Sequence, residues 1–595
     1  MNQESPSNSS LDCSIALGEK SFAREAIVFA GLLLIVIFSW CSANGKWAVG
    51  SWQQPGAYSE AFTSDVLASL SGMKAVADGD IFPMSWKKIS RLGAPSGANW
   101  NDAPLIEEIP FYLQGLMARW FGLFAGLNLS LLVGHLLAAG AFYAVARFSS
   151  CERKWSFVGG LAFGLAPFIF SQSPHHITVA YAWHVPFFIP VWKWVATGDG
   201  LGFGSKKFWI AVGIALLTGS QNVYYTNIFC QLTLLGGLAH YLRSRSVQPL
   251  LACLSIIAAA ALAFALMNLD TWTYRLINGP NGGAVVREYK WLEIYGLKIV
   301  DLFVPPTTHR SDWLASFAFL HRSEAPLQDE GSYLGILGLL SLVFMVGVAV
   351  VAVVKKRYEE VPLGAWQSLW IVLAFTTGGL NAILGAMGFT LFRTGCRYSI
   401  VILAIALLFA VRRMSVLPIS ARLSTLLAVL ACVLVFADQV PRPPSREQTA
   451  QVARCMESDR QLVGAMESAL PSGAMVFQIP IMEFPESPVP GLSPYDQLRP
   501  YLFSKSLRFS FGSMKGRSDT QWQKDLQKIP LPDAVSKIRS MGFQAILISR
   551  NGFPDKGQGI LKALADMGYK TVIDSPAGDM TCVLFSNPTM PLNKS

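Results

Sequence analysis

The chain has 595 residues, of which 52% are hydrophobic and only 14% charged, and its mean hydropathy is +0.39. Soluble domains carry about 25% charged residues, so a water-soluble enzyme of this length is excluded. Intrinsic disorder and a disulfide scaffold fall with it, because apolar runs recur along most of the sequence and the nine cysteines are scattered. The 48 Lys+Arg against 38 Asp+Glu leave +10, but the basic clusters lie between apolar runs, as they do in membrane proteins. No polar segment interleaves basic residues with stacking aromatics, so nucleic acid is not an expected partner.

The first 26 residues are polar and mixed in charge. The run from Ile27 to Asn44 lacks the layout of a cleaved signal peptide and reads as a retained first span. A helix crossing about 30 Å of hydrocarbon needs about 20 mainly apolar residues. Eleven such stretches lie near 27–44, 124–147, 156–171, 177–195, 208–219, 221–242, 248–268, 333–354, 366–390, 397–411 and 421–438. The third and fifth are short, and the ninth is interrupted by Gly378, Gly379, Asn381 and Gly385. With the N-terminus in the cytoplasm, Arg147/Arg153/Lys154, Lys193/Lys206/Lys207, Arg243/Arg245, Lys355/Lys356/Arg357 and Arg412/Arg413/Arg422 all fall on the cytoplasmic side. An odd number of spans then exports everything after about Asp438, together with the long loops 45–123 and 269–332.

In the first loop, Phe62, Val66, Leu67, Leu70 and Met73 repeat at helical spacing, as do Leu105, Ile109, Leu113 and Met117. Both stretches read as amphipathic helices in the membrane interface. A carboxylate such as Asp65 is partly desolvated there, which raises its proton affinity and suits it to take a proton from a hydroxyl; the plainer alternative is that it caps or solvates its helix. Asp102 and Glu107 are further candidates in the same loop.

Ser173-Pro-His175-His176-Ile-Thr-Val-Ala-Tyr181-Ala-Trp-His184 follows the third span. Adjacent histidines on a helix cannot both reach one metal, but His176 and His184 could lie two turns apart on one face with Tyr181 nearby. Hydrogen bonding to a polar substrate is the expectation, against solvated turn residues. His135 and Asn222 read as helix-packing groups. The second loop adds Lys298, Asp301, His309, Arg310, His321, Arg322, Glu324, Asp329 and Glu330, a polar roof. At the mouth of the tenth span, Arg393 and Arg397 lie four apart beside Gly395 and Tyr398, and on one helical face would present a guanidinium fork to a phosphate. Snorkelling arginines beside an aromatic belt are the alternative.

The tail from Pro441 to Ser595 is more polar and punctuated by prolines. Residues 474–479, 544–549, 570–573 and 581–585 read as strands and 533–541 and 557–567 as helices, which suggests a small α/β domain. Cys41, Cys230, Cys253 and Cys432 lie in spans; Cys396, Cys455 and Cys582 face outward, and a Cys455–Cys582 bridge is one option. No CxxC, GxxxxGK[ST], HExxH or GxSxG in a strand-to-helix context occurs, nor a regular pattern of charges inside the spans.

Several short motifs together resemble the polytopic glycosyltransferases of the GT-C superfold, and more narrowly the bacterial YfhO-type membrane proteins. They are Asp65 soon after the first span, Leu92-Gly-Ala-Pro-Ser-Gly with Asn101-Asp102-Ala-Pro104, His176 with Tyr181 and Pro186, Tyr333-Leu-Gly335 opening a span, and Arg393 with Arg397-Tyr398. The likeness covers about residues 25–440. It implies an α-helical polytopic membrane protein of about 11 helices with a C-terminal extracytoplasmic α/β domain: 1–26 cytoplasmic, 27–440 the membrane domain, 441–595 the accessory domain. The likeness also implies a place in the bacterial cytoplasmic (inner) membrane. The implied activity is transfer of a sugar from a polyprenyl-phosphate donor to a glycan or glycolipid acceptor on the extracytoplasmic face. By the same likeness Asp65 is the catalytic base; Arg393, Arg397 and Tyr398 hold the donor phosphate; and Glu60, Asp102, Glu107, His176, Tyr181, His184 and Glu330 contact substrates. Ser64 and Val66 flank Asp65 where many relatives pair acids, which puts a divalent metal in doubt and leaves a role for Glu60 open; no cofactor is indicated. The rival readings are a glycolipid flippase, which would be expected to show internal repeats, and a non-enzymatic scaffold of a polysaccharide-assembly complex.

Overall fold

The computed structural model describes residues 9–55, 64–103, 107–325 and 331–585, with side chains from residue 23 onward. Glu60, Asp329 and Glu330 lie outside the described residues. Among the described residues seven helices are long and apolar enough to cross a membrane: Ala23–Asn44, Leu123–Phe148, Arg153–Gln172, Val247–Met267, Gly335–Val354, Gly395–Ser415 and Ala421–Gln439. Each falls on one of the eleven expected stretches. Of the other four, 177–195 is broken into Ile177–Ala180, a 3-10 turn over Ala182–Phe187 and Phe188–Thr197, with Pro186 inside the turn. Lys206–Gly219 has 14 residues and Leu363–Phe375 has 13, and the more polar Val223–Ser244 completes the bundle.

The first loop departs from expectation. Helix Asp65–Asp78 is not laid on a lipid surface; Val66, Leu67, Leu70, Met73 and Val76 are buried in protein. It packs on helix Glu108–Phe121 so closely that a Cβ on Gly115 would stand 2.4 Å from Val76. A short antiparallel pair, β1 (Lys88–Ile89) and β2 (Ala98–Asn99), lies between these helices in the chain.

The tail opens with helix Arg446–Ala469, whose Ser445 and Gln448 form a reciprocal cap. It continues into a five-stranded sheet of β3 (Met475–Ile479), β4 (Arg508–Phe509), β5 (Phe543–Ser549), β6 (Val572–Asp574) and β7 (Met580–Leu584), in the order β4-β3-β5-β7-β6. The β3–β4 and β3–β5 pairs are parallel, and β5–β7 and β6–β7 antiparallel. Successive residues point to opposite faces of a strand. Val476, Ala545, Leu547 and Cys582 accordingly join a core continuous with the membrane helices, while Phe477, Ile546, Ile548 and Val583 join a second core with Val535, Ile538 and Leu564. Cys455 and Cys582 are both free.

Loop and tail are stitched together. Gly93 and Ala94 donate backbone hydrogen bonds to Phe511 and Phe509 (both 2.9 Å). Trp100 Nε1 donates to Gly512 O (2.9 Å), and its ring stacks on Phe484 at 4.6 Å.

Candidate functional site

A cavity of about 620 Å3 lies where the ends of Arg153–Gln172 and Val247–Met267 and the start of Gly395–Ser415 meet the loops and the tail. Asp65, Asp102, Glu107, His176, Arg393 and Arg397 all line it, although they come from positions spread along much of the chain. The tail contributes Pro485, Glu486, Tyr495 and Met514 to the same wall.

Asp65 is the first residue of its helix. Ser64 before it adopts a positive φ of 51°, costly for a residue with a Cβ, and its N–H donates to Ser493 Oγ of the tail (3.1 Å). His176 Nε2 stands 3.5 Å from Asp65 Oδ2, and His176 Nδ1 is 3.2 Å from Gln172 Oε1. Burial alone would raise the Asp65 carboxyl, as the sequence led one to expect. The hydrogen bond and charge of His176, with the charges of His175 and Arg287, outweigh it and hold the group below its ordinary value. The result is a carboxylate ionised at neutral pH and able to accept a proton.

Arg393 and Arg397 do not share a helical face. Gly395–Tyr398 is a 3-10 turn, and the α-helix begins only at Ser399. The chain is compressed here because Gly395 packs on backbone: a Cβ on it would come within 2.3 Å of Phe375 O. Both arginines still line the cavity. The Arg397 guanidinium lies 4.9 Å over the ring of Tyr224, whose hydroxyl donates to Leu391 O (3.3 Å) and accepts from Thr394 N (3.2 Å). Tyr398 is behind the wall, its ring 3.8 Å from that of Phe375 and its hydroxyl accepting from Asn227 Nδ2 (2.7 Å).

Glu107 accepts from Asn222 Nδ2 (2.5 Å), and Asn222 Oδ1 in turn caps helix Val223–Ser244 by accepting from Tyr224 N (3.1 Å). Burial pushes the Glu107 carboxyl up to about 7, against the pull of its own backbone amide, the Arg397 charge and Thr178. It is therefore a titrating group beside the arginine pair.

Asp102 is occupied by protein. Its carboxylate, 1% exposed, accepts from Arg517 Nε and Nη2 (2.7 and 3.1 Å), Asn281 Nδ2 (3.0 Å) and Arg275 Nε (3.4 Å). It knots the first loop, the second loop and the tail together. His184 and Tyr181 are also structural in placement. His184 is buried against Trp183, Phe188 and Tyr225, and Tyr181 donates to Ser130 O (2.6 Å). The broken helix 177–197 removes the shared face on which His176 and His184 were expected to meet.

Other lining groups left no signal in the sequence. Lys87 is buried between Glu108 (2.6 Å) and Asp270. Arg287 and Glu486 form a bidentate pair across loop and tail (2.8 and 2.9 Å). The second-loop residues Lys298, Asp301, His309, Arg310, His321, Arg322 and Glu324 are not in the cavity lining. Among the described residues no group of three or more His, Cys, Asp and Glu is placed to hold a metal ion.

Fold and cavity define a helical membrane protein whose loops and final α/β domain enclose a mixed apolar and charged chamber at one end of the bundle. No family model matches the chain, and no curated protein matches it. Among solved structures it is similar to ArnT from Cupriavidus metallidurans bound to undecaprenyl phosphate, at 12% identity and a TM-score of 0.44, covering 95% of this chain and 99% of that one. The same ArnT in the apo state gives 13% identity and a TM-score of 0.39, over 95% and 98% of the two chains. An oligosaccharyltransferase from Archaeoglobus fulgidus gives 10% identity and a TM-score of 0.41, over 94% of this chain and 74% of that one. These likenesses are distant in both sequence and superposition.

Proposed function

We propose that the protein is a membrane glycosyltransferase of the GT-C type, moving a sugar from a polyprenyl-phosphate donor to a lipid-linked or cell-surface glycan. The reading places the chamber on the extracytoplasmic face of a bacterial cytoplasmic membrane, with 27–440 as the membrane body and 441–595 as an extracytoplasmic domain. One observation carries it: an ionised carboxylate, Asp65, shares a 620 Å3 cavity with the guanidinium groups of Arg393 and Arg397.

In a single displacement the Asp65 carboxylate takes the proton of the acceptor hydroxyl as its oxygen bonds to the sugar C1. The bond from C1 to the phosphate oxygen breaks, and the electron pair leaves on the polyprenyl phosphate. Arg393 and Arg397 stabilise that anion, whose charge grows as the bond breaks. His176 orients Asp65 and keeps it ionised. Seating on Tyr224 leaves the Arg397 guanidinium little freedom to lose when phosphate arrives.

The test supplies labelled polyprenyl-phosphate sugars and candidate acceptors to the protein in nanodiscs. Release of polyprenyl phosphate should fall about 10²- to 10⁴-fold in Asp65→Asn and sharply in Arg397→Ala, with both variants still folded. Undiminished release in Asp65→Asn, or movement of intact donor across a bilayer without bond cleavage, would overturn the reading.

A further inference from the structure

The Asp312–Glu324 helix of the second loop is apolar on a face that the described residues leave exposed. Trp313, Phe317 and Leu320 are 74%, 46% and 61% exposed, and their spacing puts them on one side of the helix. Ala318, on the opposite side, is buried. A soluble surface does not leave such a stripe open.

Both ends of this helix are tied to points where spans end. At its start, Arg442 pairs with Asp312, and Arg310 Nε donates to Val440 O (2.8 Å) with its guanidinium 4.7 Å over Phe436. Arg310 Nη2 also reaches Ser42 Oγ (3.1 Å), beside the end of Ala23–Asn44. Phe436 and Val440 mark the end of Ala421–Gln439. At the other end, His321 Nε2 lies 3.0 Å from Asp301 Oδ1, and the neighbouring Leu302 O accepts from Leu334 N (3.2 Å), one residue before Gly335–Val354 begins. A helix fastened at both ends to the mouths of spans runs along the membrane surface rather than away from it.

Beneath it is a second, open cavity of about 430 Å3, lined by Val300, Phe317, Leu320, Lys298, His321 and Glu324, with Ala325 at its edge. Lys298 (3.3 Å) and His321 (3.0 Å) both face the Asp301 carboxylate and Glu324 adds a second acid, so the mainly apolar walls match an acyl chain.

We propose that the Asp312–Glu324 helix is an in-plane membrane anchor, its Trp313, Phe317 and Leu320 face and the cavity beneath it occupied by a glycerophospholipid of the adjoining leaflet. The occupant follows from continuity: the lipid-facing flank of Ala421–Gln439, with Val429, Leu430 and Val433 exposed, ends where this helix is anchored. Tyr295 and Leu297, just before Lys298, pair with Cys396 and Phe375 (3.2 and 2.8 Å), so the lipid lies behind the wall that carries Arg397.

The full-length protein in nanodiscs containing phospholipid with a photoactivatable diazirine in its acyl chain tests this, adducts being mapped by mass spectrometry. Adducts are expected on residues 313–320 as well as on 421–439. In Trp313→Glu/Leu320→Glu they should be lost from the loop helix and retained on the span, which shows that the body is still folded. Labelled spans with an unlabelled loop helix would overturn the proposal. So would undiminished labelling in the double variant, or cross-links between two copies through 313–320 in place of lipid adducts.

Discussion

Replacing Lys87 by Met isolates the electrostatics of the chamber floor. Lys87, Glu108 and Asp270 have side chains only 3%, 3% and 1% exposed, and the ammonium sits between the two carboxylates. Asn101 Nδ2 donates to Asp270 Oδ2 and Met84 N to Glu108 Oε2, each at 2.6 Å. Burial already pushes the Glu108 carboxyl up, with Lys87 pulling it back. Methionine fills the space of the lysine stem and leaves two buried carboxylates facing each other, which should destabilise the fold by about 3–5 kcal/mol. The loss must depend on pH, and its sign is fixed. In the variant the folded state holds a carboxyl proton more tightly than the unfolded chain does, so stability is greatest below the ordinary carboxyl range and is lost as pH rises through the elevated folded value. Unfolding of the detergent-solubilised protein, followed by tryptophan emission on heating at pH 5 and pH 8, reads this directly. Lys87→Met should trail the parent at both values and by more at pH 8, and adding Asp270→Asn should recover part of the deficit. An equal deficit at the two pH values, or a variant as stable as its parent at pH 8, would refute the reasoning.

Three other outcomes follow from the same geometry. Glu107 titrates near 7 beside Arg397, so its ionisation as pH rises from 6 to 8 should weaken binding of a polyprenyl phosphosugar, whose phosphodiester does not titrate there. Glu107→Gln should bind tightly across that range, and an unchanged pH profile would count against the pairing. Arg517→Ala leaves the 1% exposed Asp102 carboxylate without its bidentate partner, at a cost of about 3 kcal/mol, seen as a lowered unfolding temperature. Arg517→Lys should rescue little of it, because an ammonium cannot reproduce the fork. Arg397→Lys should cost donor affinity about 10-fold for the same reason, measured as Kd with Asp65→Asn to prevent turnover.

The body of the fold was legible because a span is a composition signal: about 20 apolar residues can be counted without knowing any neighbour. Most strands of the tail were legible for a similar reason, since each central strand is a short, nearly continuous apolar run buried on both faces. β4 was not, because two residues, Arg508 and Phe509, hold their place through pairing with β3 and with Arg91 and Ala94 of the first loop, all far off in the chain. Helical periodicity located Asp65–Asp78 but could not say what covers its apolar face. The same 3.6-residue pattern serves a lipid surface and a protein lid, and here the cover is protein, while the open apolar face belongs to Asp312–Glu324. At the site, Asp65, Arg393 and Arg397 could be singled out by residue type and position relative to the spans. Their mutual arrangement could not, and neither could Lys87 with Asp270 or Arg287 with Glu486, each of which joins residues far apart in the chain.

The knot at Asp102 also bears on the order in which the protein is made. Its carboxylate emerges from the ribosome early, while Arg517 is synthesised long after the last span has been inserted. Until then the chamber lacks a wall, and Asp102 has Arg275 at 3.4 Å but not the bidentate fork of Arg517. A nascent or prematurely terminated chain can thus be threaded into the bilayer with every spanning helix in place and its chamber still unwalled, so completion of the site is timed by the arrival of its final domain.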